Sequence, residues 1–316
     1  MKVSIIIPVY NVSAFIERCL ISALNQTYQD IEYILVDDVG QDNSMEIANS
    51  VITGYPDKDV KVIQHTTNKG LGGARNTGVK ASSGEYIFFL DSDDELSSDC
   101  IEILALLTKE KSIDLIIGEI DVVGNKRKAY PLLTIEDGIY HGNDFILNSF
   151  LQKKWYEMAW NKLIKRSLFI EKGIWFTEGI LHEDTLWSFQ LALELQSMAV
   201  IHAKTYHYHI QKGSITQKKS NKNIEDFYFL LKKIIESSKG HKIFQTYPSV
   251  YFYLERLRIF FIKSLAKGNF SKEFILKQKK QLDDLYNSEV WTNKPQSFTS
   301  KCKEIILSLL FSKKLR

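Results

Sequence analysis

The stretch Tyr86-Ile87-Phe88-Phe89-Leu90-Asp91-Ser92-Asp93-Asp94 is an apolar run that stops abruptly at three carboxylates. A continuous run of this length and composition predicts a strand over 85–90, buried on both faces as in a parallel sheet. Such a strand delivers the residues after it to the carboxyl edge of the sheet, where ligands of open α/β sheets bind. Three like charges in four residues repel one another and call for a counter-ion, most naturally a hard divalent cation with oxygen ligands. Shared with a diphosphate, that cation would neutralise charge building on a departing phosphate oxygen. The plainer alternative is an acidic turn capping the next helix. The place at the end of a buried strand favours the cation.

The flanking sequence repeats one pattern. Val3–Val9 reads as a buried strand, and 14–26 as a helix with Phe15, Cys19, Leu20, Ala23 and Leu24 at helical spacing. A strand over 32–36, a helix over Ser44–Thr53, a strand over 60–65, a Gly-rich turn and a short helix over 74–81 come next. This alternation implies an α/β fold, a mostly parallel sheet flanked by helices. From about residue 113 the pattern is mixed, with strands expected at 115–119 and 199–208 and helices near 142–151 and 184–195. Beyond Gly213 it is almost wholly helical. The expected organisation is a domain over 1–218, with halves of about 1–100 and 101–218, and a helical C-terminal region over 219–316.

The chain has 316 residues, 44% hydrophobic and 25% charged, ordinary values for a soluble protein. A net charge of +3 gives no reason to expect a nucleic-acid partner. Cys19, Cys100 and Cys302 form no CxxC pair and read as reduced thiols of a cytoplasmic protein. The apolar start is too short for a secretion signal, and no run approaches the roughly 20 apolar residues of a membrane span.

Two further motifs lie on the same sheet edge. Ile34-Leu35-Val36-Asp37-Asp38 ends the second strand beside the exit of the first, Pro8-Val9-Tyr10-Asn11. A carboxylate there, Asp38, can accept the N–H of a base or a sugar hydroxyl. Asp42 and Ser44 suit the cap of the next helix. The run Asn68-Lys69-Gly70-Leu71-Gly72-Gly73-Ala74-Arg75-Asn76-Thr77-Gly78 fails as a dinucleotide fingerprint, because Arg75 stands where GxGxxG requires glycine. No GxxxxGK[ST] P-loop occurs. A flexible loop leading to an arginine at a helix N-terminus still suits a diphosphate.

PVYN, VDD, GxxxARNxG and FLDSDD, in this order and spacing, resemble glycosyltransferase family 2 with the GT-A fold. The resemblance is dense over 3–100 and looser to about 216. It implies an inverting transfer of a sugar from a nucleotide diphosphate, usually with Mn²⁺ or Mg²⁺. It assigns Pro8, Tyr10 and Asn11 to the nucleobase pocket, Asp38 to the base, Arg75 to the nucleotide, Asp91 to the ribose with Ser92 beside it, and Asp93 to the metal. One departure stands out. The family usually reads VDDGS, and here the run is Val36-Asp37-Asp38-Val39-Gly40, so the turn after Asp38 is expected to differ.

Leu181-His182-Glu183-Asp184-Thr185 lacks the second histidine of a zinc HExxH. It resembles the family's ED motif at the start of the acceptor-side helix. An acceptor hydroxyl needs a base to take its proton as the new bond forms. Adjacent helical residues diverge by about 100°, so only one of the pair faces the acceptor. The resemblance points to Asp184, with Glu183 orienting. The alternative is an acidic first turn favoured by the helix dipole. Trp160-Asn161-Lys162 resembles a segment before the acceptor site, where Lys162 would meet phosphate or Glu183 or lie on a solvated face. Tyr206–Thr216 resembles the closing segment, where Lys212 and Ser214 could fold over the diphosphate and His207 or His209 could add a metal ligand.

By the same resemblance the donor is a UDP-hexose or UDP-N-acetylhexosamine and the acceptor a bacterial surface glycan or lipid-linked oligosaccharide. Lys301, Lys303, Lys313, Lys314 and Arg316 flank the apolar run 305–311. That pattern suits anionic membrane surfaces, at the inner face of the cell membrane, or a helical cap on the catalytic domain. The competing classes are a nucleotidyltransferase, which would want a Gly-rich phosphate loop after the first strand, and a non-catalytic nucleotide-sugar-binding subunit, against which Asp91, Asp93 and Asp184 argue.

Overall fold

Ile5, Ile6 and Ile7 have no solvent exposure, and neither do Ile34 and Leu35 or Phe88 and Phe89. These three runs are neighbouring strands at the centre of a sheet. The computed structural model describes residues 1–108, 112–124, 133–210 and 220–290. Lys212, Ser214, Cys302 and the basic tail lie outside the described residues.

The first half of the chain contains β1 (Val3–Val9), α1 (Ile16–Leu24), β2 (Ile31–Asp37), α2 (Ser44–Thr53), β3 (Asp59–Gln64), α3 (Gly70–Ala81), β4 (Tyr86–Phe89), β5 (Glu95–Leu96) and α4 (Cys100–Leu106). Then come β6 (Leu115–Val123), β7 (Gly138–His141), α5 (Asn143–Leu151), β8 (Lys162–Lys165), α6 (Ser167–Ile170), α7 (Glu183–Glu194) and β9 (Ser197–His209). The strands order as β3-β2-β1-β4-β8-β6-β9-β5, with β7 on β9. β3, β2, β1 and β4 are all parallel, and β6 runs parallel to β9. β8 is antiparallel to both β4 and β6, which makes the second half mixed. The α/β fold with a mostly parallel central sheet is therefore as the periodicity predicts. β5, β7 and β8 carry too few residues to show a period.

Because β1 lies between β2 and β4, three strand exits adjoin. Val9 pairs with Asp37, Asp38 N–H donates to Val9 O (3.0 Å), and Leu90 N–H donates to Ile6 O (3.0 Å). PVYN, VDD and DSDD thus share one edge.

The Gly-rich segment departs from expectation. Residues 70–73 are not a loop before a helix at 74, because α3 starts at Gly70. The glycines serve close packing. A Cβ on Gly78 would sit 2.3 Å from Ile6 Cγ2, and one on Gly72 would meet Phe176 Cβ and Thr177 O at 3.1 Å. Asp38 holds the start of α3 by accepting from Lys69 N (2.8 Å) and Gly70 N (2.9 Å).

The chain divides into two compact units. The first takes in Met1–Phe150, Lys154–Gly179 and Glu183–Gln211. The second takes in Leu151–Lys153, Ile180–His182 and, among the described residues, 220–290. The second unit is helical: α8 (Asn221–Gly240), α9 (Ile243–Thr246), α10 (Ser249–Lys267) and α11 (Lys272–Glu289). Ser220 and Ser271 cap α8 and α11 through their side chains. Leu230, Ile234, Tyr251, Leu254 and Phe261 form its core. Among the described residues no helix is long and apolar enough to cross a membrane.

At the end of the sheet away from the shared edge, Glu32 is a buried charge with many partners. Its carboxylate accepts from Ser4 Oγ, Ser83 N, Ser83 Oγ, Gly84 N and Lys61 Nζ. Burial raises its pKa, but these donors outweigh burial and hold it at about 2, against an ordinary 4.5. A carboxyl lowered on folding stabilises fully above its ordinary value, and that contribution is lost as pH falls through the folded value. Glu32→Gln is therefore expected to cost about 2–3 kcal/mol at pH 7. Its unfolding midpoint should flatten between pH 4.5 and 2, where the native chain loses stability steeply. Denaturant titrations at several pH values measure both.

Candidate active site

Arg75 organises the edge. It is the sixth residue of α3, and its side chain is completely buried. Nη2 donates to Asp91 Oδ1 at 2.8 Å, while Nη1 donates to Asp184 Oδ1 at 2.5 Å and Glu183 Oε1 at 3.2 Å. The guanidinium packs on the rings of Phe89 (5.7 Å) and Phe176 (5.3 Å). Burial opposes its charge, but Asp184, Asp91 and Glu183 more than compensate and raise its pKa. Beside it, Asn76 clamps the backbone of Phe176 in both directions, at 2.9 and 3.0 Å. Phe176 stacks on Trp187, one turn beyond Glu183 on α7, at 4.5 Å. One helix thereby fixes both β4 and α7.

Arg75, expected at a helix N-terminus facing a diphosphate, lies in the second turn of α3. Its donors go inward to three carboxylates. Asp91 and Asp184 keep 23% and 21% side-chain exposure while Arg75 keeps none, so the acids are reachable and the arginine is not.

Glu183 and Asp184 open α7. Burial and mutual repulsion push Glu183 up, against Arg75. Burial also pushes Asp184 up, helped by Asp91 and opposed by Arg75 and Lys162. Glu183 keeps 9% exposure, less than half that of Asp184, which leaves Asp184 as the accessible member. Asp184 Oδ2 also accepts from Ala159 N at 3.4 Å. The 156–162 segment is pinned by Asn161, in a left-handed conformation (φ 55°), which donates to Gly118 O and Glu119 O. Lys162 is not on a solvated face. It is fully buried, its Nζ donates to Met158 O, and it lies 4.0 Å over the Tyr156 ring. Burial pushes its pKa well down.

The DSDD run splits. Ser92 is buried and its hydroxyl donates to Pro8 O at 2.8 Å, tying the loop to β1. Asp94 turns inward and bonds to Tyr206 Oη and His209 N, both at 2.8 Å. Burial, then the charges of Asp93 and Asp91, push its pKa up to about 9, against the two donors on its oxygens. Of the expected three-carboxylate cluster, one carboxyl group is thus turned away from the edge. Asp93 is half-buried, and burial and the neighbouring Asp91 raise its pKa to about 6. Arg18 of α1 donates to Asp93 O and approaches Glu95 at 3.4 Å.

His209 pairs with Glu95 at 2.7 Å, and His207 lies 3.7 Å from Asp121. Neither joins a metal cluster, and among the described residues no three His, Cys, Asp or Glu side chains gather as one.

At the exits of β1 and β2, Tyr10 and Asn11 are exposed and Pro8 is buried. Asn11 Oδ1 accepts from Gln41 N at 2.7 Å. Asp38, expected to meet the base, has its carboxylate bonded within the chain. It is buried, caps α3, and lies 2.7 Å from His65 Nδ1, whose Nε2 is 2.8 Å from Thr77 Oγ1. His65 and Arg18 gave no signal in the sequence, because each acts through a partner distant along the chain. Asp42 accepts from Ser13 N and Ser44 N, so it ties α2 to the loop after β1.

The sequence profile of Glycosyl transferase family 2 matches residues 4–173. The chain belongs to glycosyltransferase family 2. It is similar to the poly(ribitol-phosphate) beta-N-acetylglucosaminyltransferase TarP of Staphylococcus aureus, with 32% identity over 255 residues, 79% of this chain and 71% of TarP. Across three other bacterial relatives it spans 63 to 70% of their length. Among solved structures, S. aureus TarS 1-349 in complex with UDP-GlcNAc superposes with a TM-score of 0.63 at 18% identity, covering 95% of this chain and 94% of TarS 1-349. The mannosyltransferase PcManGT from Pyrobaculum calidifontis, in complex with GDP-Man and Mn²⁺, superposes with a TM-score of 0.58 at 15% identity, covering 91% and 88%. The fold is shared with these GT-A enzymes.

The family-2 site suits a hard cation. Asp93 sits beside the Asp91 carboxylate with its pKa pushed up, a position that a divalent charge would relieve. One such carboxylate makes a partial oxygen set, of the kind completed by water and substrate phosphates. Removing the arginine exposes how much the site depends on it. Arg75→Met leaves three acids facing one another and is expected to destabilise the chain by about 3–5 kcal/mol. A fall of that size in denaturant-derived stability checks it, and Arg75→Lys should recover only part.

Proposed function

We propose that this glycosyltransferase moves a hexose or N-acetylhexosamine from a UDP-sugar to a hydroxyl of a bacterial surface glycan, with inversion at the anomeric carbon. The observation that carries the reading is the single guanidinium of Arg75 bonded to both Asp91 and Asp184. Donor-side and acceptor-side acids therefore lie within one side chain of each other. The likeness to TarP and to TarS in complex with UDP-GlcNAc supports a UDP-N-acetylhexosamine donor and an acceptor of the poly(ribitol-phosphate) kind.

In this reading Tyr10 and Asn11 border the base and Asp91 meets the ribose. Asp93 holds Mn²⁺ or Mg²⁺, which when bound supplies positive charge to the departing diphosphate. Asp184 takes the acceptor proton as the hydroxyl oxygen bonds to the anomeric carbon. The bond from that carbon to the phosphate oxygen breaks, and its electron pair leaves with UDP. One displacement inverts the centre. Glu183 keeps Asp184 in register through their shared arginine. The catalytic domain corresponds to 1–218, and the basic tail to a membrane-surface anchor at the cytoplasmic face.

Asp184→Asn is expected to lower transfer from UDP-GlcNAc with Mn²⁺ by at least about 10³-fold. UDP affinity should stay within about twofold, since Asp184 serves the acceptor. Chromatography of products and calorimetric UDP titration measure the two. Persistent transfer removes Asp184 as the base, and released pyrophosphate in place of UDP favours nucleotidyl transfer.

The pH profile gives an independent check. Both acids of the pair are raised, so transfer should climb with pH above the ordinary carboxylate range as Asp184 loses its proton. In Asp91→Asn a like charge that raises Asp184 is gone, and the rising limb should move to lower pH.

A further inference from the structure

Val39 comes directly after Asp38 at the exit of β2, and its backbone is left-handed, with φ 61°. A β-branched side chain in that conformation is costly, because Cβ crowds the following carbonyl oxygen. Such outliers persist only where something maintains them. The usual compensations are missing for Val39. It is 38% exposed, so burial offers little. Its N–H bond to Asp37 Oδ1 (3.0 Å) is one that any residue would make.

The neighbouring glycine does not relieve the strain. Gly40 does not use a positive φ. It is needed for space, since a Cβ there would sit 3.0 Å from Asn11 N and 3.2 Å from Asn11 Oδ1. The chain therefore uses its glycine for close approach and leaves the strained position to valine. Beside it at the same edge, Tyr10 is 41% exposed and Asn11 is also left-handed, with φ 52°. Two half-exposed apolar side chains stand at the exits of adjacent parallel strands, on a backbone held rigid by the Gln41–Asn11 bond.

We infer that Val39 is a donor-binding residue whose side chain forms an apolar wall against the base of the nucleoside diphosphate. The inference rests on the UDP-sugar reading and deepens it. Exposed Val39 and Tyr10 side chains at the strand ends offer apolar surface, which suits the flat, partly apolar face of a nucleobase and not the charged diphosphate.

The test uses the full chain, with UDP and pyrophosphate as probes in the presence of Mg²⁺. Calorimetric titration and thermal melts are run on wild type, Val39→Gly and Val39→Ile. In Val39→Gly the melting temperature should hold or rise, because glycine accepts the left-handed backbone. Its UDP Kd should rise about fivefold to tenfold, the size expected for losing part of an apolar contact. Pyrophosphate, which has no base, should bind as in wild type. Val39→Ile keeps the wall and should keep UDP affinity within about twofold.

Val39→Gly binding UDP as wild type does would overturn the assignment. Equal weakening for pyrophosphate would overturn it too, since Val39 would then shape the loop and not meet the base. A lower melting temperature in Val39→Gly would mean that the valine is retained for internal packing. Wild type binding no nucleoside diphosphate would sink the donor reading, and this assignment with it.

Discussion

The site rests on one buried cation shared among three acids. Arg75 bonds to Asp91, Glu183 and Asp184, which come from two distant parts of the chain. An isolated charge of either sign could not be buried here, because the desolvation cost would neutralise it. Together they persist: the acids hold the guanidinium charged, and the guanidinium limits how far burial and repulsion raise the acids. Such a cluster adds little net stability over an apolar one, but it fixes geometry. The geometry it fixes is the spacing between Asp91 after the end of β4 and Asp184 at the start of α7.

Much of the remaining structure serves to deliver that arginine. Asp38, although it stands at a strand exit where ligands bind, is turned inward to cap α3. The glycines of α3 let the helix press onto Ile6 of β1 and onto Phe176. Asn76 locks Phe176 in place, and Phe176 stacks on Trp187 of α7. Directional hydrogen bonds and ring stacking set position to a few tenths of an ångström, where nonspecific apolar contact would not. The acidic loop is treated similarly. Ser92 ties it to β1, and Asp94 anchors it to β9. Only Asp91 and Asp93 of that run keep partial exposure.

The second half of the sheet explains how α7 is brought to the edge. β8 enters antiparallel beside β4, which lets the 156–162 segment turn back toward α7. The left-handed Asn161 makes that return, and its amide fills the bulge at Gly118 and Glu119 of β6. Lys162, immediately after it, is sealed over the Tyr156 ring, where burial opposes its charge.

The local sequence by itself determined the α/β class, the mostly parallel sheet, the helical C-terminal region and the edge where PVYN, VDD and DSDD meet. These depend on short-range facts: apolar periodicity sets burial, and a run that ends in acids must end at a surface. The tertiary structure decided which polar groups at that edge face outward. Asp38, Arg75, Asp94 and Lys162 look as available in the sequence as Asp91, Asp93 and Asp184, yet the fold encloses the first four. Val39 shows the same limit, for its residue type says nothing of a left-handed backbone. Charge pairing and burial depend on partners a hundred residues away, and local pattern carries no information about them.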